Sequence, residues 1–188
     1  MQPSPLARRL FAAIVVVMFA ALAAGAYPWA AHVLGASLVA LAAWLFRNDI
    51  ARRTVRKAGL TRVIAACLLA GYAWLAVAGA TLAAAGLEPG SRSYDAVVHA
   101  LALGFVFSMV FGHAAIILPA VTKFAVPYHP TFYGPLALLQ ASLVVRLGGD
   151  AAGRTDWARA GAWLNAAALA AFLLGTLAAV LRGRRKPT

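Results

Sequence analysis

Two histidines, His99 and His113, lie fourteen residues apart within one apolar segment, Val97 to Pro119. This interval is close to four α-helical turns, so it predicts that both imidazoles face nearly the same way, roughly 21 Å apart along the axis. A hydrocarbon core is about 30 Å thick, which places one imidazole near each leaflet. Because an intramembrane histidine is costly unless it is paired, solvated or ligating, the pattern favours a haem or metal site. The structural alternative is that each histidine bonds a carbonyl of a neighbouring helix.

His32 and His99 are the predicted pair for one haem. Each lies a few residues inside the outer end of its predicted helix, and two neutral imidazoles at equal depth on facing helices suit a six-coordinate haem b. Arg146 is expected at the same level, where its guanidinium would bind a haem propionate. The competing interpretations are a lone interfacial His32 and an Arg146 that extends to the membrane surface.

A second metal or haem centre is predicted around His113. Met109 precedes it by one helical turn on the same face, and an imidazole with a soft thioether can hold copper. Methionine at such a position is otherwise core packing. His129 lies in the next inner loop and reaches His113 only if that loop folds back into the bundle.

The elements that position these residues are membrane helices. The chain has 188 residues, of which 63% are hydrophobic and 12% charged, and its mean hydropathy is +0.82, unlike a soluble domain. The predicted fold is therefore all-α, a polytopic membrane protein formed as one six-helix transmembrane bundle. The predicted spans are residues 8–27, 29–46, 60–86, 95–119, 131–148 and 159–181.

The net charge of +12 is explained by membrane orientation rather than by nucleic-acid binding. With the N-terminus inside, thirteen of the seventeen basic residues lie on the inner side, and the outer side carries Arg92, Arg146, Arg154 and Arg159. This asymmetry predicts an even number of spans with both termini cytoplasmic. The charge distribution therefore predicts the lipid bilayer as a partner of this protein.

Several further expectations concern the helix ends and the polar residues. Ser93 or Asp95 is the expected N-cap of the fourth helix, and Pro119 is expected to end it. Gln140 is expected to form an interhelical hydrogen bond. All five acids fall in loops or at helix ends, which argues against a proton-coupled transporter with a mid-membrane carboxylate. The single cysteine, Cys67, excludes an intrachain disulfide and a Cys-based iron–sulfur cluster.

The stretch His99-Ala100-Leu101-Ala102-Leu103-Gly104, followed by Leu138-Leu139-Gln140 and Arg146, resembles the NnrS family. These are haem- and copper-containing bacterial membrane proteins linked to nitric oxide and nitrosative stress. The likeness covers mainly helices four to six, with an echo in Tyr72-Ala73-Trp74-Leu75, and this chain would be a reduced, roughly half-length relative. The resemblance implies a bacterial inner membrane, a haem or metal role for His99 and His32, and a partner that is a second copy or a larger membrane complex.

The leading hypothesis is a membrane protein with haem b, and copper as a further metal, that transfers electrons or handles nitric oxide or oxygen. Bis-histidine ligation favours electron transfer, whereas gas binding requires an open axial position. The rival hypothesis is a non-redox membrane subunit or small transporter whose histidines are structural. The residues leave the redox partner and the number of haems open.

Overall fold

A computed structural model describes residues 3–122 and 129–184 of the chain. Within these ranges it is helical and has no strands. The α-helices are α1 Pro5–Ala23, α2 Pro28–Asn48, α3 Ala51–Thr54, α4 Leu60–Ala85, α5 Arg92–His99, α6 Ser108–Thr122, α7 Tyr133–Ala152 and α8 Thr155–Arg184. A π-helix, Ala100–Phe107, joins α5 to α6, and a 3₁₀ turn, Pro130–Phe132, precedes α7.

Five helical segments of the described chain are long and apolar enough to cross a membrane, which confirms the all-α, multi-span expectation at that level. They are Pro5–Ala23, Pro28–Asn48, Leu60–Ala85, Arg92–Val121 and Thr155–Leu181. The count therefore differs from the six that were expected. Of the six predicted spans, the one outside this set corresponds to α7, which has the length but carries Gln140, Arg146 and Asp150.

Two expectations about the fourth predicted helix are wrong. Its N-cap is Ser91, whose hydroxyl accepts from the Tyr94 N–H at 3.1 Å, so Asp95 lies inside the first turn instead of capping it. Pro119 does not end the helix, because α6 continues to Thr122. A proline there removes one backbone hydrogen bond, and the apolar residues around it still keep the segment helical.

Helices α2 and α4 pack in direct backbone contact. A Cβ built on Gly35 would lie 2.3 Å from the Ala83 N and 2.6 Å from the Gly79 O, and a Cβ on Gly79 would lie 2.7 Å from the Gly35 O. Only glycine permits this approach, as expected for small residues at membrane helix interfaces. The buried residues beside it form the first core cluster: Leu38, Ala42, Leu75, Leu82 and Val97.

A second core cluster joins α4, α6, α7 and α8. It contains Val63, Cys67, Phe111, Leu136, Leu139, Leu143 and Ala168. The rings of Phe111 and Phe172 stack with centroids 3.9 Å apart. Since α4 contributes to both clusters, it is the helix around which the others are arranged.

The interval between His99 and His113 is not α-helical throughout. The expectation that both imidazoles face the same way assumed four regular α-helical turns, and this assumption is wrong. Eight residues, Ala100–Phe107, form a π-helix, whose wider turns carry more residues than α-turns. Fourteen residues therefore do not complete four turns. His99 contacts the α5–α7 side of the bundle, whereas His113 lies between α6 and α8.

Candidate functional site

Four charged or titratable side chains meet where α5 packs against α7: Asp95, His99, Arg146 and Asp150. The Asp95 carboxylate accepts from Arg146 Nη2 at 2.8 Å and lies 3.3 Å from His99 Nδ1. Asp95 precedes His99 by four residues, one helical turn, so the two side chains share a face. Asp150 faces the same carboxylate from the last turn of α7.

Asp150 lies beyond the apolar run of α7, and its environment favours the protonated carboxyl. Burial, and then the negative charge of the adjacent Asp95, raise the pKa of Asp150, while Arg146 and His99 oppose that increase. Its Oδ2 is buried and has no hydrogen-bond partner in the described part of the chain. Two carboxylates at such short range compete for one proton.

Arg146 has an anionic partner within the protein. Its side chain is 16% exposed and forms an ion pair with Asp95, while Nη1 donates to the Ala158 O at 3.3 Å. The guanidinium therefore bonds inside the bundle, whereas a haem propionate or the membrane surface had been expected as its partner. One donor is left over, because Arg146 Nε is buried without a hydrogen-bond partner among the described residues.

The three histidines on long helices share one hydrogen-bonding pattern. The Nδ1 atoms of His32, His99 and His113 lie 2.7 to 2.8 Å from the backbone carbonyls of Ala83, Asp95 and Met109. A carbonyl only accepts, so each Nδ1 carries the proton. In the neutral ring, Nε2 then holds a lone pair, which is the state in which an imidazole binds a metal.

The structure places His32 and His99 among different neighbours. His32 is exposed on α2 and lies against the C-terminal end of α4, where Gly86, at a φ of +71°, leaves room for its ring. His99 contacts Asp95 of its own helix, and Asp95 is in turn paired with Arg146 of α7. Val97, two residues before His99, packs instead on the α2–α4 side. The described contacts do not bring the two imidazoles together, and their joint ligation of one haem stays a prediction.

His113 and Met109 line one apolar groove between α6 and α8. The terminal methyl group of Met109 lies beside Gly71 of α4, since a Cβ there would be within 2.4 Å of it. Met109 is thus packed against a neighbouring helix, which was the alternative interpretation of this residue. A copper site that uses its sulfur stays a prediction.

In His129, unlike the other three histidines, Nδ1 is a hydrogen-bond acceptor. Its Nδ1 accepts from the Thr131 N–H at 3.3 Å and caps the 3₁₀ turn. That nitrogen is therefore unprotonated, and in the neutral ring the proton is on Nε2. The loop segment 123–128, which was to bring His129 to His113, lies outside the described residues.

Gln140 forms the interhelical hydrogen bonds expected of it. Its Oε1 accepts from Trp74 Nε1 on α4, and its Nε2 donates to the Ser108 Oγ at 3.1 Å on α6. A second polar pair, Ser142 and Asn165, joins α7 to α8. Sequence reasoning missed Asp95, Asp150 and Trp74 as partners, although the four-residue spacing of Asp95 and His99 was a usable signal.

No group of three or more His, Cys, Asp or Glu side chains within residues 3–122 and 129–184 is placed to hold a metal ion. Haem iron takes only one or two axial ligands from the protein.

The fold and these side chains define an all-helical protein compatible with several membrane spans, with a charged cluster between α5 and α7. The chain belongs to the family described as a domain of unknown function (DUF8744), whose model matches residues 1–181. No curated protein matches the chain, and no solved structure matches it. The resemblance to the NnrS family stays a prediction.

Proposed function

We propose that this protein is a membrane haem protein that transfers electrons or handles a diatomic gas, with His99 as an axial ligand of haem b. His32 is the second predicted ligand. The chemistry that haem supplies when bound is one-electron transfer or gas binding at iron. The protein contributes the imidazole and, through the Asp95 contacts of His99, its orientation.

The observation that carries the proposal is a hydrogen bond that the helical histidines share, from Nδ1–H to a backbone carbonyl. Metal-ligating histidines almost always donate the second ring N–H to a carbonyl, carboxylate or water, which orients the ring and makes the ligating nitrogen more basic. His32, His99 and His113 all have this bond, and at His99 the Asp95 carboxylate adds a second oxygen 3.3 Å away.

Arg146 suits the propionate side of such a haem. Its Nε is a buried donor without a partner in the described chain, and it belongs to a guanidinium that already shares Asp95 with His99. A carboxylate at Nε would satisfy this donor through a charge-assisted hydrogen bond.

The proposed topology has six spans in a bacterial inner membrane and both termini in the cytoplasm. The sixth span is the segment 131–148, most of which belongs to α7, and its residues Gln140 and Arg146 have partners that compensate their burial. Gln140 is bonded to α4 and α6, and Arg146 is paired with Asp95. Asp150 is at the last turn. Polar residues in membrane helices commonly face the bundle in this way.

The decisive experiment is a reduced-minus-oxidised absorption spectrum of the purified protein. We expect a Soret shift and an α-band from haem b, and both should be lost in His99→Ala. In His32→Ala, a changed spin state is expected if His32 is the second axial ligand. Metal analysis of the same sample tests the copper prediction for His113 and Met109.

The matched control is His129→Ala, because Nδ1 of His129 is engaged as a helix-cap acceptor. This variant should keep the complete spectrum. A haem-free protein from cells that produce haem would overturn the proposal and favour the non-redox subunit with structural histidines. Loss of the bands in His113→Ala alone would move the ligand to the α6–α8 groove.

A further inference from the structure

An apolar groove of about 440 Å³ lies between α6 and α8. Its walls are almost entirely hydrocarbon, and the polar side chains that line it are His113 and Thr176. Ile117 and Leu173 on its rim are more than half exposed. Since both helices are candidate membrane spans, the open side of the groove faces acyl chains in a bilayer.

His113 lines this groove, and no hydrogen-bond partner for its Nε2 is found in residues 3–122 and 129–184. Its Nδ1–H is bonded to the Met109 O at 2.8 Å, so Nε2 carries the lone pair in the neutral ring. His113 lies about 12 Å along the helix from Val121, where the candidate membrane span ends, so in a bilayer few water molecules would reach it as donors. A polar group left unpaired in hydrocarbon costs on the order of a few kcal/mol. The occupant of the groove should therefore bring a hydrogen-bond donor.

The need for a hydrogen-bond donor distinguishes among the lipid-soluble molecules that could enter the groove. An acyl chain has no donor. A quinone offers only carbonyl oxygens, which are acceptors and gain nothing from a second lone pair. A hydroquinone has the same ring and tail but carries hydroxyl groups that donate.

The groove also provides a flat aromatic wall. Phe172 lines it, and the Phe172 ring is fixed by stacking on Phe111 at 3.9 Å with an interplanar angle of 9°. Planar rings pack favourably against such a surface in an offset arrangement.

We propose that the α6–α8 groove binds a membrane hydroquinone whose hydroxyl donates to His113 Nε2. The ring lies near Phe172, and the isoprenoid tail leaves through the open side between Ile117 and Leu173. This binding does not depend on haem, so it goes beyond the function proposed above.

The test uses the full-length protein, labelled with ¹⁵N in its histidine rings and reconstituted in lipid nanodiscs. The sequence contains only four histidines, so the ring signals can be assigned with single variants. Titration with decylubiquinol should shift the Nε2 signal of His113 in a saturable way. Decylubiquinone at the same concentrations should leave it unchanged.

Variants complete the test. His113→Leu should weaken decylubiquinol binding about tenfold or more, because the hydroxyl loses its acceptor. His113→Gln retains an acceptor oxygen and should weaken binding less, while His129→Gln should bind as the wild type does. Thermal unfolding of each variant shows whether it is folded.

Equal saturable binding of the quinol and the quinone would overturn the proposal, because no donor would then be required. A non-saturable shift would overturn it as well and would leave lipid as the occupant. So would loss of the haem spectrum in His113→Leu, since iron would then hold Nε2. A haem-free preparation that still binds decylubiquinol would support this site while contradicting the haem proposal.

Discussion

At the residue scale, Asp95 organises the charged cluster between α5 and α7. One carboxylate oxygen pairs with Arg146, and the other lies beside the ring of His99. Asp150 faces the same group from α7. Because the negative charge of Asp95 is paired with one partly buried arginine, a second negative charge on Asp150 is disfavoured, and the cluster is best balanced with Asp150 protonated.

This balance predicts that stability depends on pH through Asp150. Its pKa is raised in the folded protein, so the folded state holds the proton more strongly than the unfolded state. The resulting stabilisation is fully present below the unfolded carboxyl pKa of about 3.9 and is lost as the pH rises through the raised value. The apparent Tm should therefore fall across that window, as measured by tryptophan fluorescence.

Asp150→Asn should flatten this dependence, since the amide is neutral at every pH. At neutral pH the variant should be at least as stable as the wild type. Glu88→Gln, in the exposed loop before α5, is the control and should keep the wild-type slope. A slope unchanged by Asp150→Asn would contradict the assignment.

At the scale of elements, close contacts between helices and the irregular π-helical segment determine which way the side chains face. The π-helix Ala100–Phe107 changes the angular relation between His99 and His113. Trp74 lies directly over this segment, where a Cβ on Gly104 would be within 2.5 Å of the Trp74 Cβ. Its indole then reaches Gln140 on α7. The irregular segment is thus held by a side chain that also joins a third helix.

The α2–α4 contact gives a prediction about stability. Gly35→Ala would place a methyl group against backbone atoms of Gly79 and Ala83, which cannot rotate away as a side chain can. We expect a loss of about 1–3 kcal/mol in the free energy of unfolding, the usual range for overpacking. The buried thiol of Cys67 allows unfolding to be followed with a thiol-reactive dye.

Gly175→Ala is the matched control for this prediction. Nothing lies within 4 Å of a Cβ built at Gly175, and alanine is a better helix former by about 1 kcal/mol. Gly175→Ala should therefore be neutral or slightly stabilising. Equal effects of the two substitutions would show that the α2–α4 contact is not as tight as described.

At the scale of the whole molecule, the apolar exterior fits contact with lipid, and the distribution of charge predicts an orientation in the membrane. Large apolar side chains of α1 and α8 are exposed, among them Phe19 at 61% and Trp163 at 79%, as expected where helices meet lipid. Thirteen basic residues are on the side predicted to be cytoplasmic and four on the other.

Labelling from outside the cell tests this orientation and the crossing of α7. In a Cys67→Ala background, Glu88→Cys and Arg154→Cys should react with an impermeant maleimide in intact cells. Lys57→Cys and Thr131→Cys should react only after the membrane is permeabilised. The same response from Thr131→Cys and Arg154→Cys would mean that α7 does not cross the membrane.

The amino-acid sequence by itself determined the helical class, the approximate ends of the helices and the placement of the acids. Apolar length and charge asymmetry are properties of contiguous residues, so they can be read without knowing the packing. Gln140 could be anticipated as an interhelical residue, because an amide inside a membrane helix requires a partner. The partner itself could not be anticipated.

Only the tertiary structure decided which polar atoms meet. The pairing of Arg146 with Asp95 joins residues 51 positions apart, and the π-helix changes the helical phase on which the His99 and His113 prediction rested. The tertiary structure also decided the tautomer of the neutral His32 ring, because its Nδ1 lies beside the Ala83 carbonyl of another helix. Distances between atoms of different helices depend on the packing angle and axial offset of those helices, and neither is encoded in local periodicity.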